Sequence, residues 1–442
     1  MDTEGILGLV TWGLLGPESI AIERRTRTLN LGACVRTFND LAVPGLGGVW
    51  FGKQLFLSTL GVAIAERVRN SGHRASNIEV ANAIEALGCW LALDHNNWNS
   101  DPRVRGATKM RLRTDLAFAQ VRKPSFYVTQ PMRQATIQPL RAFGFVESSG
   151  ERFSGFSCNA TGEDFIDAVC GEFRPSNRSV MEHLVKWAKG EPVSLKTPEL
   201  RRALSPIEEM TKFGREFLRE RAVAEGNLES RRRKDVFQWI DHRRTNPKSQ
   251  IAWDTKPKML EEGHWRNLHT GSLFFLTRDA AINVLDQIEA HLGNQSDPRM
   301  PLNKSLPEIV VNQCDELRNA AQTFLAQNYD PSPNSEATAF CRQCNESADT
   351  RIIENLLLRE GRVLQQKGNE VVPGSAFRGS PLLEPQTARS DEEDGEETKI
   401  PNSIQWPPGI SHRVRNLFLL NADLRGELDL WLAPTVSAGE QS

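Results

Sequence analysis

The sequence predicts a mainly α protein with small β elements, built as several domains. Apolar residues recur at helical spacing in most segments. Extended runs are short and sit beside turn residues. The 442 residues also exceed what one hydrophobic core usually organises. The expected parts are an N-terminal helical region over 1–75, a module of helices and one hairpin over 76–171, and a charged helical region over 172–293. A helical region ending in a hairpin follows over 294–373, then a disordered acidic linker over 374–402 and a C-terminal docking helix over 403–442.

Composition removes several function classes. With 54 Lys and Arg against 56 Asp and Glu, the chain as a whole is no electrostatic glue for nucleic acid or membrane, so any such role must be local. The 7 cysteines are odd in number and scattered, which suits a reducing compartment, and a cytoplasmic location is expected. The apolar stretch Gly5 to Gly16 follows Asp2 and Glu4 and lacks a basic leader, so it does not read as a secretory signal. Lys53 and Gln54 interrupt the stretch from Val49 to Ala65, which falls short of the ~20 apolar residues of a membrane span. No membrane partner is expected.

In chain order, Pro17 suits the first turn of a helix to about Leu29, and Gly72 suits the cap of another running from about Lys53. Pro44, Gly45, Gly47 and Gly48 form a loop between them. Ser76 and Glu79 make a capping box, and Val80, Ile84, Leu87 and Leu91 place a helix over 77 to about 93. A further helix is expected around Leu112 to Val121, ended by Pro124, with Phe126, Tyr127 and Val128 extended after it. Thr129 or Gln130 can cap the next helix, with Pro131 in its first turn. At about 100° per residue, Met132, Ala135, Thr136, Leu140 and Phe143 share one side of it. Arg133, Gln134, Ile137, Gln138 and Arg141 share the other, and Pro139 should kink the helix. Gly144 closes it. Phe145 to Cys158 then reads as a short hairpin with a polar tip at Ser148 to Gly150, and Thr161 caps a helix striped by Phe165, Ile166 and Val169.

The order of helix, short strand, helix with an exposed face, hairpin and helix, with its Phe143-Gly144-Phe145-Val146 junction and Thr161-Gly162-Glu163 helix start, resembles the winged-helix DNA-binding superfamily of bacterial regulators. The resemblance covers residues 76–171 alone and is one of topology. It implies that residues 131–142 form the recognition helix and 145–158 the wing. Arg133, Gln134, Gln138 and Arg141 would then face bases or phosphates of duplex DNA, and Arg152, Arg122 and Lys123 would contact phosphate. Pro139 and a long loop over 94–111 depart from the pattern. Charge agrees independently: from Asn99 to Ala142 there are nine Lys or Arg against Asp101 and Asp115.

Beyond the module, residues 172 to 250 carry charged helical patterns, with a basic cluster from Arg231 to Lys234 that is ordinarily a solvated face. Thr277 looks like an N-cap for a helix to about Leu292, and a proline-bearing break follows from Gly293 to Pro307. Helices then lead to Val363-Leu364 and Val371-Val372, a hairpin around Lys367, Gly368 and Asn369. The run Asp391 to Glu397 holds six acids in seven residues and cannot order itself. A last helix from about His412 to Trp431 should dock through Val414, Leu417, Phe418, Leu420 and Leu424.

Three patterns look chemical. Gly47, Gly52 and Lys53 have phosphate-loop spacing, but Gln54 replaces the magnesium-binding hydroxyl, and Val49, Trp50 and Phe51 put bulk where backbone must wrap phosphate. Cys341 and Cys344 are half of a zinc site with no second half at usual spacing. His242, His264 and His269 lie near Asp241, Asp254 and Glu261 but match no hydrolytic signature. No catalytic residue, metal or cofactor is therefore assigned. The expected function is that of a non-enzymatic DNA-associated protein. The alternative is an adaptor subunit of a bacterial multiprotein DNA-maintenance or antiphage defence complex, with other protein subunits as partners and the winged helix used for assembly.

Overall fold

The computed structural model describes residues 27–148, 150–246, 252–379, 404 and 406–432. The helix expected after Pro17, up to residue 26, and the acidic run Asp391 to Glu397 lie outside them. The chain is mainly helical. It opens with α1 (Gly32–Ala42), α2 (Gly52–Asn70), α3 (Asn77–His95), the single turns α4 (Ala107–Met110) and α5 (Phe118–Val121), and α6 (Arg133–Ala142). A hairpin of β1 (Val146–Ser148) and β2 (Phe156–Cys158) leads to α7 (Ala160–Cys170), α8 (Val180–Ala188), α9 (Pro198–Leu204), α10 (Lys212–Ala222) and α11 (Leu228–Thr245). The long α12 (Glu262–Gly293) precedes β3 (Met300–Pro301), α13 (Glu308–Leu325), α14 (Glu336–Cys344), α15 (Asp349–Glu360), β4 (Leu364–Lys367) and β5 (Glu370–Pro373). The described chain ends with α16 (His412–Leu424) and α17 (Leu428–Leu432). Among the described residues no helix is long and apolar enough to cross a membrane.

Two apolar cores organise these elements. The larger gathers α2, α3, the segment 110–146, α7 to α11 and α16, drawing on residues from both sides of positions 75/76 and 171/172. The second joins Leu29 to Phe38 with α13, α14, α15 and the β4–β5 hairpin. α12 belongs to both: Trp265 and Leu268 pack in the first, Phe274 to Leu292 in the second. Phe274 and Phe275 before Thr277 and Ala281 after it pack in the second core, so Thr277 caps nothing. It lies inside one continuous helix, fully buried, and its hydroxyl donates back to the Leu273 carbonyl at 2.9 Å.

Other local expectations differ for similar reasons. The helix around 112–121 shrinks to the turn α5, and Phe126 to Val128 form no strand, with Phe126 and Tyr127 buried in the core. The helix after the first hairpin is capped by Asn159, whose side chain accepts from Gly162 N, and Thr161 is inside it. The last helix is divided at Gly426, whose φ of +72° ends α16. The Ser76–Glu79 capping box forms as expected, and β4 and β5 pair in register from Leu364↔Pro373 to Lys367↔Glu370, turning at Gly368 with φ +61°.

α1 is tied to α12 by His264, a fully buried side chain whose Nε2 donates to the Ala42 carbonyl at 3.0 Å. Burial pushes the imidazole pKa down to about 4, so the folded protein keeps it neutral. As pH falls below the ordinary value of about 6.5, the unfolded chain takes up a proton that the folded chain refuses. The stability contributed by the neutral ring is thus present above pH ~6.5 and is lost as pH falls toward 4, by about 3 kcal/mol in all. Asp423, pushed up to about 6 by burial, has the opposite slope over part of this range, so the diagnostic is the difference between proteins. Urea titrations at pH 7 and pH 5 should show His264→Gln losing less stability on acidification than the parent. Equal losses would contradict this assignment.

Candidate nucleic-acid interface

The site expected from the sequence is centred on α6, and the structure holds that helix at three points. None of Ser, Thr, Asn or Asp caps its start; Thr129 is exposed. Instead Glu85, projecting from α3 and only 2% exposed, accepts from Met132 N at 2.6 Å and Arg133 N at 3.1 Å. Burial raises the Glu85 carboxyl pKa, and those two amides with Arg105 pull against it. A carboxylate here satisfies otherwise unpaired N–H groups and meets the positive end of the helix dipole.

The middle of α6 contains Pro139, yet the helix runs through it. Proline has no N–H to give the Ala135 carbonyl, and Gly48 N donates to that oxygen at 3.3 Å. The 44–48 loop can come this close because Gly47 has φ +56° and lacks a Cβ that would stand 2.5 Å from the same oxygen. Gly47, one of the two glycines at phosphate-loop spacing, is therefore used for docking α6. Lys53 is likewise committed: its buried Nζ donates to the carbonyls of Arg202 (3.0 Å) and Ala203 (2.5 Å) near the end of α9, and burial lowers its pKa to about 8.

The far end of α6 is held by Arg233, a residue of the cluster that reads as a solvated face. It is 2% exposed. Its guanidinium donates to the carbonyls of Ala222 (3.2 Å), Pro44 (3.0 Å) and Ala142 (3.3 Å), and lies 4.9 Å from the Phe143 ring centre. Ala142 and Ala222 are the last residues of α6 and α10, so one cation meets the negative ends of two helices. Burial lowers its pKa to about 10, which leaves it charged at neutral pH.

The hairpin beside α6 is anchored by Asn77, whose buried amide donates to the carbonyls of Phe156 (2.7 Å) and Phe153 (3.2 Å). This brings Arg133 over the Phe153 ring at 5.4 Å, with its Nε donating to Asn82 Oδ1 at 2.5 Å. Gln138 is also engaged, donating to Asp40 at 2.7 Å and accepting from Arg413 at 3.0 Å. Gln134 is half-buried. Arg141, Arg152, Arg122 and Lys123 are exposed; Arg122 lies 3.7 Å from Glu79 and Lys123 donates to Gln120 at 2.5 Å.

The basic run from 99 to 142 is thus sorted by the fold. Arg103 is buried against Asp101 and Arg105 donates to the Gln130 carbonyl at 2.8 Å. Lys109, Arg111 and Arg113 are exposed; they belong to the run that marked the segment as basic but were not among the assigned contacts.

The remaining chemical patterns have structural uses. Cys341 and Cys344 are buried in the second core, with Cys341 pushed up to about 12 by burial, and no three His, Cys, Asp or Glu among the described residues are placed to share a metal ion. His269 stacks on Trp253 at 5.1 Å, and Asp241 pairs with Arg425 at 2.6 Å. The chain matches no protein-family model, no curated protein and no solved structure.

If Arg233 holds α6 as described, Arg233→Leu should lower stability in urea by about 3 kcal/mol, because three carbonyls lose a charged donor at once. Arg231→Ala, an exposed neighbour in the same cluster, should stay within about 0.5 kcal/mol of the parent. Equal effects would contradict the clamp.

Proposed function

We propose that this is a non-enzymatic, DNA-associated protein that holds duplex DNA along its 76–171 segment, used as a winged helix. The observation that carries the reading is a set of exposed cations, Arg122, Lys123, Arg141 and Arg152, on and around a firmly braced helix and hairpin of a chain whose net charge is only -2. Local cations displace condensed counterions, and that term dominates affinity for duplex.

The contacts inside the fold narrow the mode of binding. Arg133 and Gln138 have partners within the protein, so reading a base would require them to give those up. Arg141 and Arg152 have no such cost. Phosphate contact is therefore the main term, and sequence preference is weak.

A second reading, a subunit of a larger assembly, is favoured by Phe213, Leu358 and Leu430, which are 73%, 81% and 77% exposed. Purification from native cells distinguishes it: a stoichiometric partner, released when Leu358 or Leu430 becomes Asp, supports assembly.

For the DNA reading, affinity for a duplex of mixed sequence should fall steeply with salt. Arg141→Ala with Arg152→Ala should weaken binding and reduce the log–log salt slope by about 2. Affinity indifferent to salt, or unmoved by the double substitution, would remove it.

A further inference from the structure

The most unusual surface residue in the segment is Leu112. It is 90% exposed, and its neighbours Arg111 and Arg113 are exposed as well. An apolar side chain so placed gains nothing from folding, yet the backbone that presents it is firmly held. Met110 is fully buried on one side and Leu116, Phe118 and Val121 on the other. Trp90 Nε1 donates to the Arg113 carbonyl at 2.9 Å, and Trp187 Nε1 donates to the Leu116 carbonyl at 2.9 Å. Arg113 N donates to the Met110 carbonyl at 2.9 Å, closing the turn from which Leu112 projects.

Cations outnumber acids around this turn. Lys109, Arg111, Arg113, Arg122 and Lys123 are exposed within residues 107–123, and the one acid there, Asp115, accepts from the Ala117 amide at 3.0 Å. Arg122 lies 3.7 Å from Glu79, which leaves Lys109, Arg111 and Arg113 as the cations flanking Leu112. An apolar tip flanked by cations on a rigid turn fits an anionic polymer with an apolar slot between its charged edges. The minor groove of a duplex is such a surface: phosphates line both rims, and apolar side chains can part the base steps between them. An anionic lipid surface fits less well, because interfacial anchoring draws on a broad apolar face and this turn offers one leucine.

We infer that residues 107–123 form a second duplex contact, in which Lys109, Arg111 and Arg113 hold phosphates and Leu112 enters the minor groove as a wedge that bends the DNA. This rests on the DNA reading above and deepens it by assigning a sequence-tolerant, architectural mode. Wedge insertion costs least at flexible pyrimidine–purine steps, so a mild preference for duplexes containing TA steps accompanies it.

The test uses the full chain, a short duplex with donor and acceptor dyes at its ends, and vesicles with and without phosphatidylserine. The parent should bind and shorten the dye-to-dye distance. Leu112→Ala should lower affinity several-fold and abolish the shortening, with an unchanged thermal transition because the residue is exposed. The triple substitution Lys109→Ala, Arg111→Ala and Arg113→Ala should reduce the salt slope by about 3. If the parent binds duplex and neither variant alters affinity, slope or bend, the wedge is overturned and the reading centred on α6 and the hairpin stands. If the parent ignores duplex, both fall; vesicle binding lost in the triple variant would then assign this turn to lipid.

Discussion

The buried guanidinium of Arg233 joins three parts of the chain at one point: the loop after α1, the end of α6 and the end of α10. Taking a guanidinium out of water costs several kcal/mol unless its donors are satisfied. Here two of the three carbonyls, those of Ala142 and Ala222, end helices, where they carry negative partial charge and lack helical donors of their own. Glu85 does the converse at the start of α6, offering a buried carboxylate to two free amides. A ten-residue helix interrupted by proline is weak in isolation, so these two charges and the Gly48 contact define where it lies.

This bracing decides what the surface can do. Two of the four side chains expected to face bases or phosphates are drawn into the bracing or its surroundings: Arg133 toward Asn82 and Phe153, Gln138 toward Asp40 and Arg413. What remains outward is charge without a fork held ready for one base, at Arg141, Arg152 and the 107–123 segment. On the proposed reading, such charge meets the phosphates of a duplex and recognises no particular sequence. The same fold gives the residues with phosphate-loop spacing other contacts: Gly47 packs on α6, and Lys53 Nζ donates to carbonyls near the end of α9.

Features set by neighbours in sequence were legible. The Ser76–Glu79 box, the Lys367-Gly368-Asn369 turn, the helical spacing of α3 and the apolar face of α6 all follow from rules spanning a few residues. Features set by partners far along the chain were not. Glu85 and Arg233 look like ordinary charged positions on helices, and only the packing of α3 and α11 against α6 gives them their roles. Thr277 belongs with them: threonine can cap a helix, but the second core buries residues on both sides of it and the helix runs through. The candidate site was legible as a basic region and not as individual contacts, because charge is counted from sequence whereas exposure is granted by the fold.

Amide hydrogen exchange along α6 measures the bracing most directly. Glu85→Ala and Arg233→Leu should each speed exchange at residues 134–142, apart from Pro139, while amides of α13 in the second core keep their protection. Unchanged exchange in α6, or a uniform loss across both cores, would contradict the view that opposite buried charges hold this helix in place.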